Sequence, residues 1–234
     1  MARPMLNEEQ RLSRRTALLD AAGRLCRARG ALPTVVDIAR EAGMAKGAVY
    51  LWFRTKEEIF LALLDAGFRA LVTRLLPVME ALETSPPRAA RQFAAEYVKV
   101  IREMPDLLLL PSLGRGLLKN NLPAEPAVRF RKNLAMELSR AGELLERHVG
   151  FLEPGRGADV LLHTWTLTVG LWQVLDYPES VWKRLDDSAL PILHRDFHVE
   201  LEGAVARLWR GALSGDREES SEKTHSAEAE KELF

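Results

Sequence analysis

Residues 34–53 allow few folds. Val35, Ile38, Ala39 and Ala42 recur at i, i+3, i+4 and i+7, the spacing of one buried face of a short helix. Gly43 comes next, and a glycine there supplies the positive φ that a helix C-terminus needs and that a Cβ penalises. A second short helix carries Lys46, Gly47, Ala48 and Tyr50 and closes on Phe53. Two such helices packed steeply through Ala39 and Val49 form a helix-turn-helix, whose second helix enters a DNA major groove. The expected partner is double-stranded DNA.

Charge supports that expectation. The 234 residues carry no net charge, yet residues 1–60 hold eleven arginines and lysines against seven carboxylates. The last twenty residues hold seven carboxylates against three cations. A basic N-terminal module is the electrostatic footprint of a phosphate-binding surface, although a solvated charged face has the same composition. The first fifteen residues are polar and arginine-rich, unlike a secretory signal, and no apolar run approaches the ~18 residues of a membrane span. One cysteine, Cys26, excludes an intrachain disulfide framework and is read as core filler. A cytoplasmic protein with no membrane partner is expected.

The whole chain reads as all-α, with about nine helices and no period-2 runs. The first helix spans residues 8–27, with Leu12, Leu18, Leu19, Ala22, Leu25 and Cys26 as its apolar stripe, and Gly30 ends it. Thr34 is placed to cap the second helix. Thr55 and Glu58 make a capping box that opens a long helix ending near Pro77. Further helices are expected over residues 88–103, 107–119, 124–149, 158–175 and 191–213, with breaks at Ser85, Pro105, Pro123 and Gly150. Beyond Gly215 the chain has almost no apolar residues and is expected to stay disordered. The domains are thus a DNA-binding domain at 8–55, a connecting helix at 56–77, a ligand-binding and dimerisation domain at 78–214, and an acidic tail at 215–234.

Residues 17–66 resemble the DNA-binding domain of the TetR family of bacterial regulators. The resemblance is carried by Leu18-Leu19-Asp20-Ala21-Ala22, Arg29-Gly30, Thr34-Val35, Asp37-Ile38-Ala39, Ala42-Gly43, Lys46-Gly47-Ala48-Val49-Tyr50, Phe53, Lys56-Glu57-Glu58 and Leu63-Leu64, in one order and spacing. It implies that the third helix lies in the major groove while the second helix and the start of the fourth grip the backbone. The candidate DNA-binding residues are Thr34, Val36, Ala45, Lys46, Gly47, Ala48, Tyr50, Trp52 and Lys56. Lys46 reaches phosphate or a guanine edge, Tyr50 reaches phosphate, and Ala48 meets a thymine methyl. Gly47 lets the backbone approach closely. Thr34 and Lys56 stand at helix N-termini, which favour phosphate. Plainer roles stay open: solvated lysines at 46 and 56, packing for Tyr50, burial for Val36, and a core position for Trp52. Ala45 stands where the family usually has a hydroxyl, so the recognition helix lacks a side-chain cap worth about 1 kcal/mol.

The helices behind this module suit dimerisation and sensing. Phe197, Leu201, Val205 and Leu208 stripe the last helix, and with Leu161 and Val169 they are the expected dimer interface of a four-helix bundle, an ordinary core helix being the alternative. Phe93, Tyr97, Ile101, Met104, Trp165, Thr168 and Trp172 are candidates to wall an apolar or aromatic effector, or else core. No catalytic constellation, cofactor motif or metal-ligand set appears, so an enzyme is not expected. The reading is a homodimeric repressor released from a palindromic operator by a small-molecule effector. A regulator with no such pocket, controlled by a protein partner or by abundance, is the alternative.

Overall fold

The computed structural model describes residues 8–110, 124–150, 152–176, 179–182, 184 and 195–231. Every regular element among them is a helix. The helices are α1 (Glu8–Arg29), α2 (Val35–Glu41), α3 (Lys46–Val49), α4 (Lys56–Glu80), α5 (Pro86–Arg102), α6 (Ala124–Val149), α7 (Arg156–Leu175), α8 (Glu179–Trp182) and α9 (Phe197–Lys231). Residues 105–110 are helical as well. The rest of the helix expected at 107–119, the break at Pro123 and the start expected at Pro191 lie outside the described residues. No described helix is long and apolar enough to cross a membrane.

The chain divides into two compact units, residues 1–69 with 105–134 and residues 70–104 with 135–234. This differs from the sequence expectation, which placed residues 78–214 together in one second domain. The described residues of 105–134 return to the first unit because Leu110 packs with Phe60, Leu61 and Leu64, with Phe130 against the same cluster. Arg27 of α1 also donates to Asp106.

In the first unit, α1 buries Leu18, Ala21, Ala22 and Cys26 on one face. Leu12, expected on that stripe, is exposed. Burial pushes the Cys26 thiol up from its ordinary value, as befits a core residue rather than a reactive thiolate. Acidic Glu8 and Glu9 at the start of α1 and basic Arg27 and Arg29 at its end match the helix dipole. Gly30 and Gly43 both adopt positive φ, at 58° and 65°, and end the preceding helices without strain. The core joins Leu18, Ala22, Ile38, Ala39, Val49 and Phe53.

In the second unit, α9 packs on α5 and α7. Ser85 precedes Pro86 and Pro87, whose fixed φ suits the first turn of α5. Asp196 caps α9 by accepting the Val199 N–H at 2.9 Å, which sets the start at Phe197. Gly142 of α6 and Gly157 of α7 meet backbone to backbone, and a Cβ on either would overlap the other helix. The backbone beyond Gly215 continues as helix to Lys231, contrary to the expected disorder. A segment too polar to build a core is still rich in the strong helix formers Glu, Lys and Ala, with Glu219 and Lys223 at the i,i+4 spacing.

Candidate nucleic-acid interface

Three local devices position the recognition helix. Thr34 Oγ1 accepts the Asp37 N–H at 3.2 Å and caps α2. The Thr55 hydroxyl accepts the Glu58 N–H at 3.2 Å, and the Glu58 carboxylate accepts the Arg54 N–H at 2.9 Å. This capping box closes one residue ahead of the usual reciprocal bond. Between them, α3 is anchored by Val49, which is fully buried against Ile38 and Ala39. Ala45 occupies the N-cap of α3 in extended geometry with no side-chain bond, as its methyl dictates.

This anchoring turns a mixed surface outward. Val36 is 51% exposed, Tyr50 46% and Leu51 76%. Ala45, Lys46, Gly47, Thr34 and Lys56 are exposed, and Ala48 is half-buried. Among the described residues neither Lys46 nor Lys56 has a carboxylate partner. The sequence pattern does not single out Leu51, since a leucine beside a short helix reads as core. Its position two residues after buried Val49 is the available signal.

Two of the expected contact residues are also engaged within the protein. Trp52 is half-buried, packed on the helix-turn-helix core, with the Arg11 guanidinium 5.6 Å from its ring centre. Thr34 spends its hydroxyl proton on Asp37 Oδ2 at 2.9 Å, so that hydroxyl has no proton left for a phosphate. Asp37 is the hub of the surrounding network, receiving Arg29 at 2.7 Å and Arg40 at 2.7 Å. The Arg29 and Thr34 hydrogen bonds hold its carboxyl down at about 2.

Two family models cover nearly the whole molecule. Residues 18–63 match bacterial regulatory proteins of the tetR family, and residues 65–216 match the tetracyclin repressor-like C-terminal domain. The chain belongs to the tetR family. A curated relative, the uncharacterized HTH-type transcriptional regulator YfiR of Bacillus subtilis, is 32% identical over 65 residues, 27% of this chain. That match spans about a third of YfiR's length, 32%. Similar solved structures share the fold. FadR of Bacillus subtilis in complex with stearoyl-CoA has a TM-score of 0.52 at 17% identity, covering 84% of this chain and 98% of that one. FadR of Bacillus halodurans has a TM-score of 0.55 at 20% identity, covering 86% and 96%. A TetR transcriptional regulator from Rhodococcus sp. RHA1 has 0.52 at 19%, covering 88% and 98%.

In this tetR-family chain the candidate effector residues divide into two groups. Phe93, Tyr97, Ile101 and Thr168 are fully buried in the second unit's interior. Phe93 stacks on Trp209 with ring centres 3.5 Å apart, and the Tyr97 and Thr168 oxygens lie 2.8 Å apart. Because the Thr168 hydroxyl donates to the Thr164 carbonyl, Tyr97 donates to Thr168. Trp209 Nε1 donates to Thr164 Oγ1 at 2.8 Å, and that hydroxyl donates to Val160 O. Burial pushes the Tyr97 phenol well above its ordinary range. Met104, Trp165 and Trp172 are half-buried. Trp172 meets Phe197 edge-on at 5.0 Å, and its indole Nε1 is buried with no hydrogen-bond partner among the described residues.

The expected dimer stripe needs correcting. Leu201 and Val205 are 0% exposed within the subunit, and Leu161 and Phe197 are buried, so these four have almost no surface to give a partner. Their helices α7 and α9 pack on each other, and α9 packs on α5 as well. Val169 and Leu208 are half-buried and keep some free surface. Among the described residues no group of His, Cys, Asp and Glu is placed to hold a metal ion.

Proposed function

We propose that this chain is a sequence-specific DNA-binding transcriptional regulator, a homodimeric repressor released from a palindromic operator by a small-molecule effector. The observation that carries the reading is the outward face of α3 and its flanks. Lys46, Tyr50, Leu51, Val36 and Lys56 stand exposed on a scaffold whose opposite face is buried at Val49, Ile38 and Ala39. Lysines position the duplex through phosphates, while apolar side chains and Ala48 read thymine methyls. Two subunits would place their α3 helices in successive major grooves about 34–36 Å apart.

A dimer through the outward faces of α7 and α9 fits the exposed Leu162 and half-buried Val169, seven residues apart on one face of α7. The effector belongs in the second unit. Among the described residues the buried Trp172 N–H has no acceptor; a ligand would supply one, and leaving the bond unmade costs about 1–3 kcal/mol. FadR of Bacillus subtilis was solved with stearoyl-CoA, which favours an effector with a large apolar part. Differential binding of about 1–3 kcal/mol between two poses of α4 would give a five- to hundredfold response.

Gel shifts across a salt series test the reading, using the duplex from upstream of the chain's own coding sequence. Wild type should bind it far more tightly than random duplex. Lys46→Ala should lower the salt slope by about one unit. Equal affinity for both duplexes, with Lys46→Ala and Tyr50→Phe unchanged, would rule out sequence-specific regulation.

A further inference from the structure

A cavity of about 330 Å³ lies wholly within the first unit. Three arginines line it from three helices: Arg15 of α1, Arg69 of α4 and Arg129 of α6. Two carboxylates, Glu58 and Asp65, also line it, and both are already engaged. Glu58 accepts the Arg54 N–H at 2.9 Å, while Asp65 accepts Arg69 at 2.7 Å and the Asn133 amide at 3.1 Å. Among the described residues no carboxylate pairs with Arg15 or Arg129. Arg15 instead lies over the Phe53 ring at 5.3 Å. Burial lowers the Arg15 guanidinium from its ordinary value, and the charges of Arg69 and Arg129 act the same way against Asp65. Trp52, Phe53 and Phe130 supply aromatic wall, and Leu61, Ala62, Pro126 and Asn133 complete the lining.

We propose that this cavity is a binding site for a planar organic anion, a carboxylate on an aromatic ring, whose occupancy sets the pose of α3. Guanidinium forks match a carboxylate's two oxygens, and the aromatic walls accept the ring's faces and edges. The volume sits at the small end of ligand pockets, right for one or two fused rings and too small for a long-chain molecule. An anion also relieves the mutual repulsion of three cations that two engaged carboxylates leave under-compensated. The route to α3 is short. Trp52 and Phe53 both donate their backbone N–H groups to the Val49 carbonyl at 2.9 Å, and Val49 is the last residue of α3. A ring pressed against Trp52 and Phe53 therefore acts on the recognition helix directly. This coupling rests on α3 being the groove-reading helix, whereas the binding itself does not.

The test titrates the full chain with 2-naphthoate by calorimetry and tryptophan fluorescence, with the neutral 2-naphthamide as control. The expected result is saturable binding of one 2-naphthoate per chain, with the amide at least about tenfold weaker, the size of one charge-assisted contact. Arg129→Ala, at an exposed position that should leave folding intact, should weaken binding by about the same factor, and Arg129→Lys by less. The quench should vanish in Trp52→Phe. Gel shifts at a 2-naphthoate concentration that just fills wild type should show about a fivefold or larger change in DNA affinity for wild type and a smaller one for Arg129→Ala. No saturable binding, equal binding of acid and amide, an unaffected Arg129→Ala, or unchanged DNA affinity in the occupied chain would each overturn the proposal. A normal titration in a chain that prefers no duplex would instead overturn the regulator reading and leave the ligand site standing.

Discussion

In the first unit, Asp37 gathers Arg29, Arg40 and Thr34 at the protein surface. In the second, Tyr97, Thr168, Thr164 and Trp209 share hydrogen bonds in an interior that excludes water. Both networks are polar and both are satisfied, yet they do different work. The surface network fixes the end of one helix and the start of the next, over residues 29–40. The interior network joins α5, α7 and α9, whose members lie 71 and 45 positions apart in the chain. A surface network of exposed charges contributes little and depends on pH and salt. A buried one depends on packing, and losing any member leaves a partner unsatisfied.

If that contrast is right, Trp209→Ala is the largest single loss in the molecule. It empties the site against Phe93 and strips Thr164 of a donor. A loss of about 3–5 kcal/mol is expected, read by urea denaturation monitored through α-helical circular dichroism. A loss below about 1 kcal/mol would show that the second unit repacks freely and is no rigid core. Gly142→Ala comes next. The added methyl overlaps the Ala158 backbone, so α6 and α7 must separate. Overpacking of this kind costs about 1–3 kcal/mol. An unchanged melting curve for Gly142→Ala would mean the crossing of these helices is looser than backbone contact implies.

The same contrast explains what can be read from the sequence. The helix-turn-helix is legible because its determinants are local. Thr34 caps the start of α2, Gly43 closes its end, and Ile38, Ala39 and Val49 meet within a dozen residues. The second unit's helices are legible too, but not which way they face. On α9 the stripe expected from the sequence runs through Leu208, whereas the inward residue is Trp209, one position and about 100° further round the helix. The series Phe197, Leu201, Val205, Trp209 and Leu213, spaced by four, contains that information. A hydrophobic pattern identifies a buried face without saying whether its cover is the same subunit or another. For that reason Leu201 and Val205 read as partner-facing and are found in the core. The turn to α4 shows the converse, since Leu51 reads as core and is the most exposed large apolar residue among the described residues.

Ala45→Ser is expected to move stability the other way, and only locally. Ala45 already has the extended geometry of an N-cap, with φ −68° and ψ 142°. A hydroxyl there would accept the N–H of Gly47 or Ala48 and stabilise α3 by about 0.5–1 kcal/mol. Amide hydrogen exchange at residues 47–49 should slow, while exchange within α5 and α9 stays the same. Slower exchange in both units would show that α3 unfolds only with the whole chain, which would break the separation of a locally capped unit from a globally packed one.

The smallest effect belongs to Asp37 and is seen as a pH window. Its carboxyl titrates at about 2 in the folded chain, below the ordinary carboxylate value of about 3.9. A depressed folded value means the ionised group favours folding above about pH 4, and this contribution fades as pH falls through 4 toward 2. Asp37→Asn should therefore melt below wild type at neutral pH, with the gap closing across that window. The Tyr97 phenol titrates too high to contribute anywhere in the acid range. Acid sensitivity should accordingly appear in exchange at α2 before it appears in α5. Simultaneous loss of protection in both helices would place Asp37 among the global determinants of the fold, and the surface network would then count for more than its exposure allows.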